Sequence, residues 1–409
     1  MDLRPAKQIE NQPWMQTSQA QKIFGVLQGN IPEEEPQALF VGGCVRNALM
    51  GRDVEDIDIA TVLAPEIVTA LLEKNGVKVI PTGIDHGTVT AVCDDRVFEI
   101  TTLRRDDETD GRRAVVSFTQ DWIEDAKRRD FTMNTLLADC SGHIYDPLGQ
   151  GVDDLEAGQI RFVGVAAKRI EEDCLRILRF FRFHALYGQG NFDQEALQAC
   201  EKAADKIAEL SRERISQEFF KIMISDKPVE ILDVMFAHGV LKGFDFENYD
   251  ADFLKHFCMF QSRYGLTALP ARVFVMAGLN FENIKAMENY VIFPKVFLKD
   301  MQAIDGVLTL EDLSCEQAVK VSIYKYGRSL TAQGLMIELA GDRVMNGYAP
   351  TALEIVQNWD IPMFPLSGTD LQEAGITPGP AMGETLSRIE SWWIEQGFKP
   401  DRDQCLRQV

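Results

Sequence analysis

The chain is 409 residues long, enough for about two to four domains with well-formed hydrophobic cores. Its 42 Lys and Arg residues against 63 Asp and Glu residues give a formal net charge of −21. This charge argues against a general binder of polyanions, so any site for a polyanion must be local. Basic residues do cluster at Arg104-Arg105, Arg112-Arg113 and Lys127-Arg128-Arg129.

The cysteine pattern and the hydropathy indicate the cellular compartment of the protein. The eight cysteines are scattered, with neither a CxxC pair nor a zinc-ligand spacing. Such scattered cysteines are typical of reduced thiols in the cytoplasm. No apolar run approaches the length of a membrane span, and residues 1–14 lack a signal-peptide core. We therefore expect a cytoplasmic protein with no membrane partner.

Strand and helix patterns alternate in the first part of the chain, and helical patterns dominate from about residue 170 onward. The charged segment 103–118 predicts a solvated surface loop, and further loops are predicted near 225–226 and 245–250. The layout indicates an α+β protein with a small α/β head of about 145 residues before a longer all-helical portion. The predicted strands are 39–41, 77–80, 88–93 and 97–103, and the predicted helices of the head are 14–27, 44–50 and 65–74.

The stretch 39–61 organises the rest of the head. A buried strand ends at Gly42-Gly43 and a helix follows, an order that aims backbone N–H groups at whatever lies beyond the turn. Arg46 adds a planar donor fork suited to phosphate. The alternative is an ordinary tight turn with no ligand.

Acidic and apolar residues alternate farther along the same stretch. In a strand, Asp56 and Asp58 share one face while the isoleucines between and after them face the other way. Two carboxylates on one face suit a hard cation such as Mg²⁺, although a solvated strand face is the alternative. Glu99 lies on a strand expected to neighbour this one, where it could complete the coordination or help to deprotonate a hydroxyl. An exposed Glu paired with an arginine is the other interpretation.

Residues 128–134 read RRDFTMN. Arg129 can reach a phosphate, while Asp130 and Asn134 supply groups suited to a ribose hydroxyl. Thr132 can cap a following helix. A surface charge cluster is the alternative.

Residues 171–183 read EEDCLRILRFFRF. Asp173, Arg176, Arg179 and Arg182 recur every three residues and form one stripe of a helix. A carboxylate and a guanidinium side by side would accept an amino proton and donate to a ring nitrogen, which fits cytosine and adenine and rejects guanine and uracil. The two later arginines could neutralise a triphosphate. The alternative is a surface helix with a weak acid-base pair.

These stretches together resemble the tRNA nucleotidyltransferase and bacterial poly(A) polymerase family. GGCVRN at 42–47 with DIDIAT at 56–61 resembles its first motif, and the two stretches above resemble its later ones; residues 213–222 and 365–393 are similar to its neck and tail. One departure is Asn47, where the family usually has Asp. The resemblance implies a head shared with DNA polymerase beta, an all-helical neck, body and tail, and a flexible loop at 103–118 that governs addition of the last nucleotide.

The resemblance also implies the site and the division of the chain. The head would be 1–145, the neck with its base-selecting helix 146–245, and the tRNA-binding body and tail 246–409. Asp56 and Asp58 would hold two Mg²⁺ ions, and these two with Glu99 would be catalytic. The residues expected to bind nucleotide are Gly42, Gly43, Arg46, Arg129, Asp130, Asn134, Asp173, Arg176, Arg179 and Arg182.

The sequence therefore predicts an enzyme that adds or repairs the 3′-terminal CCA of tRNA with CTP and ATP, without a template and without a DNA partner. A poly(A) polymerase is the closest alternative, although the basic signature expected after the Glu99 strand is not evident. A catalytically inactive RNA-binding relative is disfavoured by the intact acidic pair. A Rossmann-type dinucleotide enzyme lacks the third glycine of its motif.

Overall fold

The computed structural model of the chain divides into two compact units, Met1–Gly243 and Phe244–Val409. Within the described residues, no helix combines the length and the apolarity that crossing a membrane requires. The structure describes residues 4–10, 12–32, 35–84, 87–110, 113–244, 249–310 and 313–409.

The first unit contains an eight-stranded mixed sheet with the strand order β1-β10-β9-β2-β3-β6-β5-β4. Strands β3 and β6 are parallel and the other neighbours are antiparallel. The neighbouring positions of β3 and β6 are as predicted. The strands are β1 (Pro5–Gln8), β2 (Ala38–Val41), β3 (Asp58–Thr61), β4 (Lys78–Gly83), β5 (Thr88–Cys93), β6 (Arg96–Thr102), β9 (Leu137–Ala138) and β10 (His143–Tyr145).

The segment predicted as a surface loop forms two strands instead. Strands β7 (Arg104–Asp110) and β8 (Arg113–Phe118) pair antiparallel in a separate two-stranded sheet. The prediction was wrong because the segment has few apolar residues, whereas the pairing rests on backbone hydrogen bonds that any residue except proline can make. Residues 111–112, including one arginine of a predicted basic pair, lie outside the described residues.

The turn after β2 has the predicted form. All four residues of β2 are buried, and helix α2 (Gly43–Leu49) begins directly after the turn. Gly42 has a φ of 71°, which a residue with a side chain rarely adopts. Its N–H donates to the Leu136 carbonyl oxygen at 3.1 Å, and this bond holds the turn against the segment 128–136.

Helices follow the head almost without interruption, as predicted. One expected helix is broken, however, because α6 ends at Glu172 and α7 begins at Leu175. Asp173 is extended, and its carboxylate accepts the Leu175 N–H at 3.1 Å, so it caps α7 rather than continuing the stripe. The helices of the first unit are α1 (Ser18–Gln28), α2, α3 (Pro65–Lys74), α4 (Trp122–Lys127), α5 (Gly151–Glu156), α6 (Ala166–Glu172), α7 (Leu175–Tyr187), α8 (Gln194–Ala203), α9 (Arg212–Met223) and α10 (Pro228–Ala237).

The second unit is helical throughout its described residues. Near the end of the chain, helices 368–373 and 380–395 pack around a core that holds Leu371, Ile389 and Trp393. Of the loop predicted at 245–250, residues 245–248 lie outside the described part. The helices are α11 (Ala251–Tyr264), α12 (Leu269–Met276), α13 (Phe281–Met287), α14 (Lys295–Thr309), α15 (Glu316–Tyr326), α16 (Arg328–Ala340), α17 (Ala349–Asn358), α18 (Gly368–Glu373), α19 (Pro380–Glu395) and α20 (Arg402–Leu406).

Candidate active site

A cavity of about 420 Å³ in the first unit, here called the central cavity, lies between the turn after β2 and helix α7. It brings together most of the predicted site residues, although they come from four separate stretches of sequence. Arg128 and Phe183 complete much of the lining. The predicted residues that line it are Gly42, Gly43, Arg46, Asp58, Arg129, Asp130, Asn134, Asp173, Arg176 and Arg179.

The predicted acidic residues lie at one edge of this cavity. Asp58 begins β3 and pairs in register with Glu99 on β6, whereas Asp56 lies before the strand and not within it as predicted. All three line a second cavity, here called the acidic cavity, of about 530 Å³. Asp58 lines both cavities. It therefore faces the arginines on one side and the other carboxylates on the other.

The environment of Asp58 disfavours its charge. Burial, together with the Glu99 and Asp56 carboxylates, raises the pKa of Asp58 to about 6 against the opposing effect of Arg129. A bound cation would relieve this repulsion, and carboxylate oxygens are the ligands that Mg²⁺ prefers. Within the described residues, no preformed cluster of three or more His, Cys, Asp or Glu side chains is found. The chemistry of the donors nevertheless fits a hard divalent cation.

Arg46 is buried and uses its donors within the protein. Its Nη1 donates to Asn134 Oδ1 at 2.7 Å, and its Nη2 donates to the Tyr187 hydroxyl at 2.8 Å. The guanidinium carbon lies 4.2 Å from the Tyr187 ring centroid, a cation–π distance. Arg46 therefore links α2 to α7 and orients Asn134. The sequence predicted only a phosphate contact for it and not this structural role. Tyr187 was not singled out in the sequence, although it lies four residues after Phe183 on the same helix face.

The hydrogen bonds of Asn47 account for its presence where the family usually has Asp. Its Oδ1 accepts from the Tyr187 hydroxyl at 3.1 Å, and its Nδ2 donates to the Asp53 carbonyl oxygen at 3.1 Å. An ionised aspartate could accept the first bond but could not donate the second. The amide therefore ties the loop before β3 to helix α2.

Asp125 holds the two arginines of the RRD segment. Its carboxylate accepts from Arg129 Nε at 3.0 Å and Nη2 at 2.8 Å, and from Arg128 Nε at 2.8 Å. Burial opposes its ionisation, but the guanidinium groups of Arg129 and Arg128 hold the pKa of Asp125 below its usual range. The sequence analysis missed this residue, and its spacing of three and four residues from the arginines on a helix was the available signal.

Asp130 joins the same segment to α7. Its buried carboxylate accepts from Arg179 Nε at 2.8 Å and from Asn134 Nδ2 at 2.9 Å. Burial raises the pKa of Asp130, but Arg179 and Asn134 outweigh it and hold this pKa below its usual range. Thr132 does not cap a helix as predicted, because residues 132–134 form one turn of 3₁₀ helix and its hydroxyl donates to Asp154 Oδ2 at 2.8 Å.

The two residues predicted to recognise a base lie at the cavity with partners of their own. Asp173 Oδ2 is 2.7 Å from Arg214 Nη2, a pair whose side chains are 34% and 45% exposed. Arg176 Nη1 donates to Glu172 Oε2 at 2.7 Å. The Asp173–Arg214 pair is partly exposed and therefore weak, so Asp173 can exchange this partner for a ligand. The Arg176 and Glu172 side chains are only 14% and 19% exposed.

Arg182 is not among the residues that line the central cavity, contrary to the prediction of a triphosphate contact. Its Nε donates to Glu218 Oε2, and both residues are buried. Arg179 Nη1 lies 3.9 Å from Glu218 Oε1. The break at Asp173 is not the reason, because it leaves the three-residue spacing of the arginines unchanged. Arg182 points toward α9 because it binds Glu218 there.

Comparison with known proteins gives consistent results. The family profile described as "Poly A polymerase head domain" matches residues 38–161, and the profile described as "Probable RNA and SrmB- binding site of polymerase A" matches residues 191–246. The chain is 32% identical over 382 residues to the mitochondrial CCA tRNA nucleotidyltransferase 1 of Danio rerio, covering 90% of this chain and 85% of that protein.

Bacterial relatives are similar over still more of their length. The chain is 32% identical over 399 residues to the CCA-adding enzyme of Streptococcus pneumoniae strain CGSP14, covering 94% and 96% of the two proteins. The crystal structure of the Bacillus stearothermophilus CCA-adding enzyme in complex with CTP superposes with a TM-score of 0.70 at 24% identity, over 96% of each chain. That superposition supports the α+β nucleotidyltransferase fold.

The Arg182–Glu218 contact predicts a large effect on stability. Because each single change leaves a buried charge without its partner, Arg182→Met or Glu218→Gln should lower the free energy of unfolding by about 3 kcal/mol. The double variant should recover at least half of this loss, as measured by urea denaturation. The exposed pair Lys320–Glu316 provides the control, since Lys320→Met should cost less than about 1 kcal/mol. Equal losses for Arg182→Met and Lys320→Met would contradict the assignment.

Proposed function

The chain belongs to the family of CCA-adding tRNA nucleotidyltransferases, and we propose that it completes the 3′-terminal CCA of tRNA from CTP and ATP, releasing pyrophosphate. The observation that carries the proposal is the central cavity, which the glycine turn, Arg129, Asp173 and Arg176 line together with Asp58. The relatives named as CCA-adding enzymes support it, because they match this chain over nearly all of its length.

We assign the metal site to the acidic residues at the cavity edge. Asp56 and Asp58 would hold two Mg²⁺ ions, with Glu99 beside them. Divalent cations bound there would supply Lewis-acid activation of the attacking hydroxyl and charge stabilisation of the leaving pyrophosphate. The protein's own contribution is the burial of Asp58 and the crowding of carboxylates around it, which together raise the pKa of Asp58 and so favour an added positive charge.

The arginines of the central cavity would position the nucleoside triphosphate. Arg129 and Arg179 line the cavity and are ordered by the buried carboxylates of Asp125 and Asp130, so little side-chain entropy remains to be lost on binding. Arg46 would act beside them, and Arg182 would act through Glu218 as a positioning residue. In the transfer, the 3′ hydroxyl oxygen of the RNA bonds to the α-phosphorus while the bond to the β-phosphate breaks. The electron pair leaves with pyrophosphate, and the hydroxyl proton passes to solvent.

Base selection would rest on Asp173 and Arg176. Cytosine and adenine both present an amino donor beside a ring-nitrogen acceptor, which the carboxylate and the guanidinium can pair. Guanine and uracil present a carbonyl beside a ring N–H, which would leave groups unpaired in the cavity. Both side chains line the cavity, and the partly exposed ion pair of Asp173 with Arg214 supports the exchange of that partner for a base.

The division into head, neck, and body with tail at 1–145, 146–245 and 246–409 remains a proposal. It is supported by the position of the last described strand, which ends at Tyr145, and by the start of the second compact unit at Phe244. We further propose that the helical parts hold tRNA by shape and backbone charge. A cytoplasmic location is supported by the free cysteines of the described chain.

One assay decides between the proposed function and its alternatives. A tRNA transcript lacking its last three nucleotides is incubated with the protein and each labelled NTP, singly and together. We expect the products to stop after CCA, with CTP required before ATP is used. Long adenylate tails would instead show a poly(A) polymerase, and RNA binding without incorporation would show an inactive relative.

Removal of either metal-binding carboxylate should abolish incorporation. Asp56→Asn and Asp58→Asn should each lower kcat by at least about a thousandfold, because the charge that holds the cations is lost. Binding of tRNA, measured by filter retention, should change little. Asp95→Asn is the matched control, since Asp95 lines the same acidic cavity and has no assigned role. Full activity in either test variant would refute the metal assignment.

Truncation of the base-facing carboxylate should relax the choice of nucleotide. Asp173→Ala should reduce discrimination of CTP over UTP at least tenfold, because the cytosine amino group loses its acceptor. The measurement is the ratio of kcat/KM for the two nucleotides. Arg214→Ala removes the present partner of Asp173 and should leave the ratio unchanged. Unchanged rejection of UTP by Asp173→Ala would exclude a role in base selection.

A further inference from the structure

Arg46 differs from the other arginines of the central cavity, because it forms no ion pair with any residue that the structure describes. Its hydrogen bonds go to neutral groups, which are Asn134 Oδ1, the Tyr187 hydroxyl and, at 3.2 Å from Nη2, Asn47 Oδ1. Its buried Nε has no hydrogen-bond partner there. The other arginines in the described lining all bind a carboxylate: Arg128 and Arg129 bind Asp125, Arg176 binds Glu172, and Arg179 binds Asp130.

The charge of Arg46 therefore needs another source of stabilisation. The residue is only 8% exposed, and burial of a cation is unfavourable unless neighbouring groups compensate for the lost hydration. Burial lowers the pKa of Arg46, and the positive charge of Arg182 lowers it as well, whereas Tyr187 opposes both. Neutral hydrogen-bond acceptors supply part of the compensation. The aromatic side chains beside the guanidinium are the remaining candidates.

Two stacked rings of α7 lie against this guanidinium. Its central carbon is 5.1 Å from the ring centroid of Phe183 and 4.2 Å from that of Tyr187. Phe183 also lies 5.3 Å from the guanidinium carbon of Arg179 and 4.4 Å from that of Arg182, so three cations surround one buried ring. The face of an aromatic ring carries partial negative charge and attracts cations at these distances. The ring thus stabilises positive charge without adding a formal negative charge.

We propose that Phe183 is a positioning residue for the nucleoside triphosphate, whose ring, together with that of Tyr187, holds the Arg46 guanidinium at the cavity without neutralising it. A carboxylate in this place would cancel the charge that a triphosphate binds. This inference rests on the proposed function and deepens it, because it names what keeps the charge of Arg46 available. Asn47 fits the same arrangement, since an aspartate there would bring a carboxylate to Arg46 Nη2.

Two other roles of Phe183 have to be separated from this one. The ring lines the central cavity, so a base could stack on it. It also packs against Phe131, with ring centroids 5.1 Å apart, so it could serve the core alone. The first role depends on the base of the ligand, and the second depends on the shape of the ring. Neither depends on attraction between the ring and a cation.

Fluorination of the ring tests the attraction directly. Mono-, di- and trifluorinated phenylalanine are placed at position 183 by nonsense suppression, because fluorine withdraws electron density from the ring face with little change in shape. Dissociation constants for CTP, ATP and inorganic tripolyphosphate are measured with Mg²⁺ and without RNA, by equilibrium dialysis and competition. As Arg46 loses its support, all three constants should rise stepwise, to about tenfold with the trifluorinated ring.

Phe180 is the matched control position. It lies on the same helix, is fully buried and also contacts Phe131, and in the described part of the chain no guanidinium lies over its ring. Trifluorination there should change each constant less than about twofold. Equal effects at the two positions would show a packing role. Constant affinities in the series at Phe183, or weaker binding of CTP but not of tripolyphosphate, would likewise overturn the inference.

Asn47→Asp tests the same idea from the side of the carboxylate. With an ion pair available to Arg46, trifluorination of Phe183 should weaken CTP binding less than about threefold. The fluorinated and unfluorinated rings are compared within this variant, so the lost hydrogen bond to Asp53 affects both alike. An undiminished tenfold effect would contradict the role of the ring as a substitute for a carboxylate.

These binding measurements do not depend on turnover. If the wild type binds the triphosphates with the expected dependence on fluorination but adds no nucleotide to tRNA, only the proposed function is refuted. If it adds CCA and fluorination of Phe183 leaves the dissociation constants unchanged, only the present inference fails. Absence of CTP and tripolyphosphate binding by the wild type would overturn the inference as well.

Discussion

The mutual repulsion of the carboxylates around Asp58 is the constraint on which the site depends. Register places Asp58 opposite Glu99 on parallel strands, and Asp56 lies just before the same strand. Backbone pairing fixes the positions of Asp58 and Glu99 in the sheet, and the chain connection keeps Asp56 close to them. Burial and these neighbours raise the pKa of Asp58 to about 6. A cation bound as proposed would relieve this repulsion.

The arginines on the other side of Asp58 are kept in order by a second set of carboxylates. Asp125 binds Arg128 and Arg129, Asp130 binds Arg179, and Glu218 binds Arg182. Burial of such pairs contributes little net stability by itself, so their value lies in fixing where each guanidinium points. A triphosphate bound as proposed would then meet donors that are already oriented.

The same arrangement accounts for an acidic protein that handles polyanions. A formal charge of −21 would repel RNA in general. The cavities concentrate arginines locally, while neighbouring carboxylates offset most of their charge. Binding of a phosphate group there depends on geometry more than on bulk attraction. The acidic remainder of the surface therefore works with the site, because it disfavours RNA that does not fit.

Much of the fold followed from local sequence pattern, and part of the site did not. Strand 88–93 and helix 65–74 were predicted with their observed bounds, since alternation and helical periodicity are local signals. The hairpin at 104–118 was missed because its pairing does not require an apolar pattern. Arg182 was assigned to the cavity because its spacing matches that of Arg176 and Arg179, yet tertiary contact with Glu218 decides its direction.

Asp125 and Tyr187 show the other limit of sequence reasoning. Neither residue stands out in its local sequence, and both gain their roles from partners. Asp125 binds the two arginines just after its own helix, and Tyr187 binds Arg46 across the fold. The first could have been found from helical spacing alone, whereas the second needed the packing of α2 against α7. Asn47 combines the two cases. Its side-chain amide donates to the Asp53 carbonyl oxygen in a local loop and accepts from the distant Tyr187 hydroxyl. The reason for Asn at this position is therefore evident only from the fold. Residues that bind the reacting groups thus leave a motif in the sequence, while those that orient them are identified by contact.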